Sequence, residues 1–305
     1  MGSGHFAIPA LRALVAEYPV AGVVTQPDRE AGRGRKVQGG LVAGLADAHG
    51  LPVLQPETFK SGDAVEALGR LEPDVIVVAS YGRILPRAVL DLPVRGALNL
   101  HPSLLPRHRG PAPIAWTILS GDTKTGVTVI EMVSKMDAGP IVSQHELPVK
   151  DTDTTETLTA RLAVENARLL IETLPGWLAG SVTPIPQDEA LATYTPMMTK
   201  EMGIVDWNKP AAELQREVRA FIPWPVSRAT LGEPLRILGA KVCDRIEPVA
   251  SSPGDVISVG TEGIGVQTGD GVLLLTRVQP DGGKPMPAAD YARGRPDLRS
   301  LPVND

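Results

Sequence analysis

Asn99 and His101 stand two residues apart in the stretch NLHPSLLPRHRGPAPI, residues 99–114. Side chains at i and i+2 of a strand share a face, so both can point into one cleft at the end of a sheet. Asparagine supplies a neutral N–H donor suited to a developing oxyanion, and histidine can hold or give a proton near neutral pH. The pair suits acyl transfer onto an external nucleophile. On spacing alone, an Asn that satisfies local backbone and a His at a cleft edge are the more frequent readings. Ser103 is close by, but SLLP is not the G-x-S-x-G setting of a hydrolase elbow, so a serine hydrolase is disfavoured. SKMDAGPI at 134–141 adds a carboxylate, Asp137, followed by small residues that let backbone come close to a ligand. Asp137 could orient His101 or favour its charged form, whereas an Asp bonded to its own turn is the commoner case.

PDREAGRGRK at 27–36 gathers Arg29, Arg33, Arg35 and Lys36 among glycines just after an expected strand. Such a loop could grip phosphates, and a solvated surface loop has the same composition. It has neither Walker nor dinucleotide-fingerprint spacing. No HExxH or paired CxxC occurs, and His5, His49, His108 and His145 are scattered singly, so no metal is expected.

These groups need a scaffold. The 305 residues suit two domains, and 43% hydrophobic with 21% charged residues is the composition of a packed globular chain. A net charge of −5 gives little general attraction to polyanions, so any nucleic-acid contact must be local. The single cysteine, Cys243, cannot form an internal disulfide, which fits a reducing cytoplasm. No apolar run reaches spanning length and the first residues lack signal-peptide regions, so a soluble, unexported protein with no membrane partner is expected.

VAGVVT at 20–25, DVIVVA at 74–79 and GALNL at 96–100 read as strands buried on both faces. Helical patterns lie between them, through Leu41, Leu45 and Ala48, then Val65, Leu68 and Leu71. This alternation predicts an α/β domain with an open, mostly parallel Rossmann-like sheet over residues 1–180. Residues 126–132 and 139–149 predict two more strands, and a long helix begins near Asp153, with Asp153 and Glu156 in capping-box spacing. The proline-dotted stretch 181–200 reads as a linker. A short helix at 211–221 and brief β runs at 235–243, 254–259, 263–268 and 271–278 predict a small barrel or sandwich within 201–305.

Together, NLHPSLLPRHRGPAPI, MDAGPI and ASYGRILP resemble the 10-formyltetrahydrofolate-dependent formyltransferases. The QPDREAGRGRK loop and AFIPWP at 220–225 bring the likeness to the branch that formylates methionyl initiator tRNA, and it covers nearly the whole chain. The resemblance implies that 10-formyltetrahydrofolate is a consumed cosubstrate and that no metal takes part. It implies Asn99, His101 and Asp137 as the catalytic set. Ser103, Leu104, Leu105 and Pro106 would form the folate-contacting turn, with Tyr81, Gly82 and Leu85 lining the pterin pocket. Arg33, Arg35 and Lys36 would contact initiator methionyl-tRNA, aided by an OB-like β-barrel at the C-terminus, in a cytoplasmic monomer.

The sequence departs from the family pattern at its start. MGSGHFAIPAL begins at the turn that follows the family's opening strand, so the first strand is expected to be missing. Ser3, His5, Pro102 and Pro111 also replace commoner residues. The rival readings are a sibling enzyme that formylates a small amine, a hydrolase of the same folate, and an inactive RNA-binding remnant.

Overall fold

In the computed structural model, the described residues are 1–31, 36–38, 40–60, 62–243, 251–295 and 298. They form two compact units, the first made of Met1–Pro113, Thr123–Pro148 and Leu158–Pro196. The second contains Ile114–Asp122, Val149–Thr157 and Met197–Asp305. Residues 181–196, expected as linker, therefore cluster with the first unit, where Ile185 and Ile141 exchange backbone hydrogen bonds of 2.8 and 2.7 Å.

The chain opens with α1 (Ile8–Glu17), β1 (Val23–Val24), a hairpin of β2 (Arg29–Ala31) and β3 (Lys36–Gln38), α2 (Leu41–Ala48) and β4 (Val53–Leu54). α3 (Gly62–Gly69), β5 (Ile76–Val78), α4 (Arg87–Leu90), β6 (Ala97–His101) and α5 (Pro113–Leu119) follow. After α5 come β7 (Lys124–Glu131), β8 (Ile141–Pro148) and the long α6 (Thr155–Ala179). β1 pairs with β4 and β5 with β6, both in parallel, and β7 and β8 then extend the β6 edge antiparallel. Buried valines and leucines on the parallel strands need covering from both faces, which the alternating helices supply. Val24, Phe59, Leu68, Ile76, Val78, Tyr81, Leu85 and Val89 form one such core.

No strand precedes the first helical turn among the described residues, as expected, but Met1–Ser3 lies between β1 and β5. Gly2 N donates to Val24 O at 2.9 Å, and Ala79 N donates to Met1 O at 2.9 Å, so this short run joins β1 to β5. A Cβ at Gly2 would meet Ala79 O at 2.7 Å, which explains glycine at this close crossing. Ser3 has a use as well: its hydroxyl accepts from Gln26 N at 3.0 Å.

The start of α6 differs from expectation. The reciprocal cap is made by Thr154 and Thr157, each backbone N–H donating to the other's hydroxyl at 2.9 and 3.2 Å, instead of by Asp153 and Glu156. Asp153 accepts from Lys150 N at 2.8 Å one turn earlier. Two residues this close in type and position leave sequence spacing unable to choose the register of a cap.

In the second unit, α7 (Ala211–Ala220) precedes β9 (Ser227–Leu231), β10 (Glu233–Val242), β11 (Val256–Gly260), β12 (Gly263–Gln267), β13 (Val272–Pro280), β14 (Met286–Pro287) and α8 (Ala288–Arg293). Antiparallel ladders run in the order β11-β12-β13-β10-β9, with β14 on β13, and register shifts around Gly239 bend β10. The expected OB-like C-terminal barrel is thus seen as an antiparallel sheet domain, and among the described residues no ladder joins β11 to β9. Trp207, Leu214, Val218, Leu235, Ile264 and Leu275 fill its core. Trp207→Ala is expected to cost about 3–5 kcal/mol of stability, read as a lower denaturant midpoint for this domain. An unchanged midpoint would contradict the packing.

Candidate active site

β6 places Asn99 and His101 on one face, beside the carboxyl end of β5, where Val78 pairs with Asn99. Both chain segments that leave this edge, 79–86 and 102–112, thus start side by side, as in other open α/β sheets that bind ligands at strand ends. Asp137 comes to the same place from the turn between β7 and β8. One carboxylate oxygen accepts from Gly110 N at 2.8 Å, and the other lies 3.4 Å from Asn99 Nδ2. His101 Nδ1 is 3.8 Å from Asp137 Oδ2. A firm bond to backbone and two long approaches to side chains fix the carboxylate while leaving the Asn99 and His101 donors available to a third group.

His101 is almost wholly buried, and its Nε2 lies 2.9 Å from the carbonyl oxygen of His108. A carbonyl only accepts, so Nε2 carries a hydrogen and Nδ1 is the ring nitrogen that faces Asp137. His108 itself sits at φ 62 and Asp137 at φ 50, left-handed conformations that cost a non-glycine residue about 1–2 kcal/mol. Such conformations persist where surrounding bonds over-determine them. For Asp137 those bonds include Gln187, whose Nε2 donates to the carbonyls of Asp137 at 2.8 Å and Gly139 at 2.7 Å. Gly139 is required by space, since a Cβ there would fall 1.7 Å from Glu131 O.

The turn after His101 is held by β7 and β8. Thr128 Oγ1 donates to Ser103 O at 2.6 Å and accepts from Leu105 N at 3.2 Å, while Gln144 Nε2 donates to Leu105 O at 3.0 Å. Ser103 Oγ donates to Arg107 O at 2.7 Å, so its hydroxyl closes the turn. Leu105 is buried, and Leu104 covers Gly126. Tyr81 and Leu85 also spend their side chains on the core of the first unit. Burial pushes the Tyr81 phenol up from its ordinary value, keeping it neutral, and its hydroxyl has no hydrogen-bond partner among the described residues.

Residues 3–174 match the family described as "Formyl transferase", and residues 197–296 match "Formyl transferase, C-terminal domain". The chain belongs to the formyl transferase family. Methionyl-tRNA formyltransferase of Roseiflexus castenholzii is 48% identical over 297 residues, spanning 96% of this chain and 94% of that protein. The Bacillus subtilis protein of the same name is 44% identical over 96% of this chain and 93% of its own length. Among solved structures, WlaRD, a sugar 3N-formyl transferase crystallised in the presence of dTDP and 5-N-formyl-THF, overlays with a TM-score of 0.67. At 16% identity over 90% of this chain and 94% of WlaRD, that likeness shows the shared fold.

The segment after β5 keeps a run of backbone donors open. Among the described residues, no protein group bonds the backbone N–H of Gly82, Arg83, Ile84 or Leu85. Gly82 holds φ +75, and Gln26 Nε2 ties the preceding Tyr81 carbonyl at 2.7 Å. What this segment leaves open for a ligand is therefore backbone, since the side chains of Tyr81 and Leu85 are buried in the core and those of Ser103 and Leu105 lie within the turn after β6. Arg33 and Arg35 lie outside the described residues, and Lys36 opens β3. Among the described residues there is no cluster able to hold a metal ion and no helix long and apolar enough to cross a membrane.

Sequence spacing left unmarked the residues that hold Asp137 and the turn, namely Thr128, Gln144, Arg109 and Gln187. Only Arg109 carried a signal, as an arginine inside the recognised motif. Beyond them, Glu189 bonds both Arg109 and Lys135, and these cations hold its carboxyl at about 2. A depressed folded-state value means that its contribution is complete above the ordinary 4.5 and is lost as pH falls through about 2. Amide protection of residues 187–195, corrected for intrinsic exchange, is expected to drop across that acid window in the native chain and to respond less in Glu189→Gln. Equal responses in the two proteins would refute the pairing.

Proposed function

We propose that this formyl transferase moves the formyl group of 10-formyltetrahydrofolate to the α-amino group of methionyl initiator tRNA, the step that prepares the initiator for translation. The observation that carries the reading is the convergence of Asn99, His101 and Asp137 at the end of β6, in a chain nearly half identical along its whole length to methionyl-tRNA formyltransferase of R. castenholzii. The folate supplies a carbonyl carbon at the oxidation level of formate and is consumed.

The nucleophile belongs to the substrate, which explains why no serine or cysteine is built beside the histidine. Asn99 Nδ2 and His101 Nδ1–H stabilise the oxyanion that develops as the amine attacks. Asp137 holds the imidazole and offsets its charge, and His101 or a water passes the proton from the attacking amine to the departing folate nitrogen. Fixing donor and acceptor on one rigid strand end supplies much of the acceleration. The pterin lies along Tyr81, Gly82 and Leu85 and against the turn Ser103–Leu104–Leu105–Pro106. Arg33, Arg35 and Lys36 grip the acceptor end of the tRNA, and the C-terminal domain, 201–305, contacts its backbone. The catalytic domain runs past the expected 1–180 to take in the segment through Pro196, and the protein works as a cytoplasmic monomer.

The test is formylation of charged initiator tRNA by the purified chain with 10-formyltetrahydrofolate. Asn99→Ala and His101→Ala are expected to lower kcat by about 100- to 1,000-fold while circular dichroism stays native. Wild-type rates in both variants would sink the catalytic assignment, and formylation of a small amine with tRNA left untouched would turn the reading to a sibling enzyme. Arg33→Ala is expected to raise KM for tRNA with little change in KM for the folate, and the opposite pattern would remove the loop from tRNA binding.

A further inference from the structure

Gln187 uses every hydrogen-bonding position it has. Its two N–H groups go to the Asp137 and Gly139 carbonyls, and its Oε1 accepts from Arg109 Nε at 3.0 Å and Nη2 at 2.9 Å. That pattern fixes the orientation of the amide, because a flip would set N–H against guanidinium N–H and oxygen against two carbonyls. Arg109 is completely buried. Its remaining donors reach Glu189 Oε1 at 2.9 Å and the Tyr194 hydroxyl at 3.1 Å, and its backbone is bonded on both sides to Thr193 O and Thr195 N.

These bonds close a ring around Asp137. Gly110, next to Arg109 in sequence, holds the Asp137 carboxylate by its N–H, and Arg109 holds the Asp137 carbonyl through Gln187. The residue in the unfavourable left-handed conformation is thus gripped at both its side chain and its backbone, from a single arginine-centred anchor. Among the described residues no hydrogen bond joins the Gln187 side chain to Asn99 or His101, so its effect on the chemistry passes through Asp137.

We propose that Gln187, seated on buried Arg109, is a positioning residue for formyl transfer, setting where the Asp137 carboxylate stands relative to His101 and Asn99. This rests on the formyl-transfer reading and adds to it a residue far from the recognised motifs. Bringing a carboxylate to the wrong place by about 1 Å can cost about 100-fold in rate, so a side chain that only orients can matter as much as one that reacts.

The decisive experiment is a double-mutant cycle in the full-length chain between Gln187→Met, which keeps volume and removes all four bonds, and Asp137→Asn. Gln187→Met alone is expected to lower kcat by about 10- to 100-fold with both KM values within about twofold. In the Asp137→Asn background the same change is expected to cost less than about twofold, because the group it positions is already altered. Equal losses in both backgrounds would overturn the proposal, as would a KM effect without a kcat effect. Arg109→Lys, which keeps the charge and loses the fork, is expected to show the same coupling at smaller size, and it serves if Gln187→Met does not fold.

A readout independent of turnover is the pair of His101 ring-nitrogen resonances. They are expected to move in Gln187→Met in the same direction as in Asp137→Asn, and unmoved resonances would overturn the proposal. Should the wild-type chain not formylate tRNA, the functional reading falls, and these resonances alone decide whether Gln187 sets the Asp137–His101 geometry.

Discussion

The bond from Gly110 N–H to the Asp137 carboxylate is the constraint around which the first unit is organised. It joins two turns that start from different strands, one after β6 and one between β7 and β8, and it places a negative charge beside Asn99 and His101. Almost every other polar arrangement in the region serves it. Thr128 and Gln144 fix the turn that leads to Gly110, Gly139 lets the Asp137 turn lie against Glu131, and Arg109 anchors the segment that carries Gln187. Without that bond, a left-handed aspartate would have little reason to stay where it is.

The balance of bond lengths sets what the site can do. Asp137 is held at 2.8 Å by backbone, while Asn99 at 3.4 Å and His101 at 3.8 Å remain only loosely engaged. A tighter cluster would have spent the Asn99 and His101 donors on Asp137 itself. His101 gives Nε2 to the His108 carbonyl and turns Nδ1 toward Asp137.

Much of this was legible in the sequence, for identifiable reasons. Short valine-rich runs separated by helical patterns gave the α/β sheet, and Asn99 with His101 gave a donor and a proton carrier on one strand face, because strand periodicity makes that inference local. The linker was harder: prolines and polar residues in 181–196 describe a chain without helix or strand, and they say nothing of whether its polar groups bond to a distant turn. Gln187 was invisible for the same reason, since its partners are 78 residues away at Arg109 and 50 away at Asp137. The cap of α6 failed at finer scale, where threonines one residue from the expected pair took the role. Met1–Ser3 shows the converse case, in which too few residues for a recognisable strand still bond to Val24 on β1 and to Ala79 just after β5.

The separation of Gln187 from the motif it serves has a consequence for synthesis of the chain. A growing polypeptide that has emerged through the end of α6 already holds β6, both turns and Asn99, His101 and Asp137, yet lacks the amide that grips the Asp137 carbonyl. The scaffold therefore precedes the geometry, and the order of the chain itself withholds a finished carboxylate until the segment after the long helix has folded back onto the unit that made it.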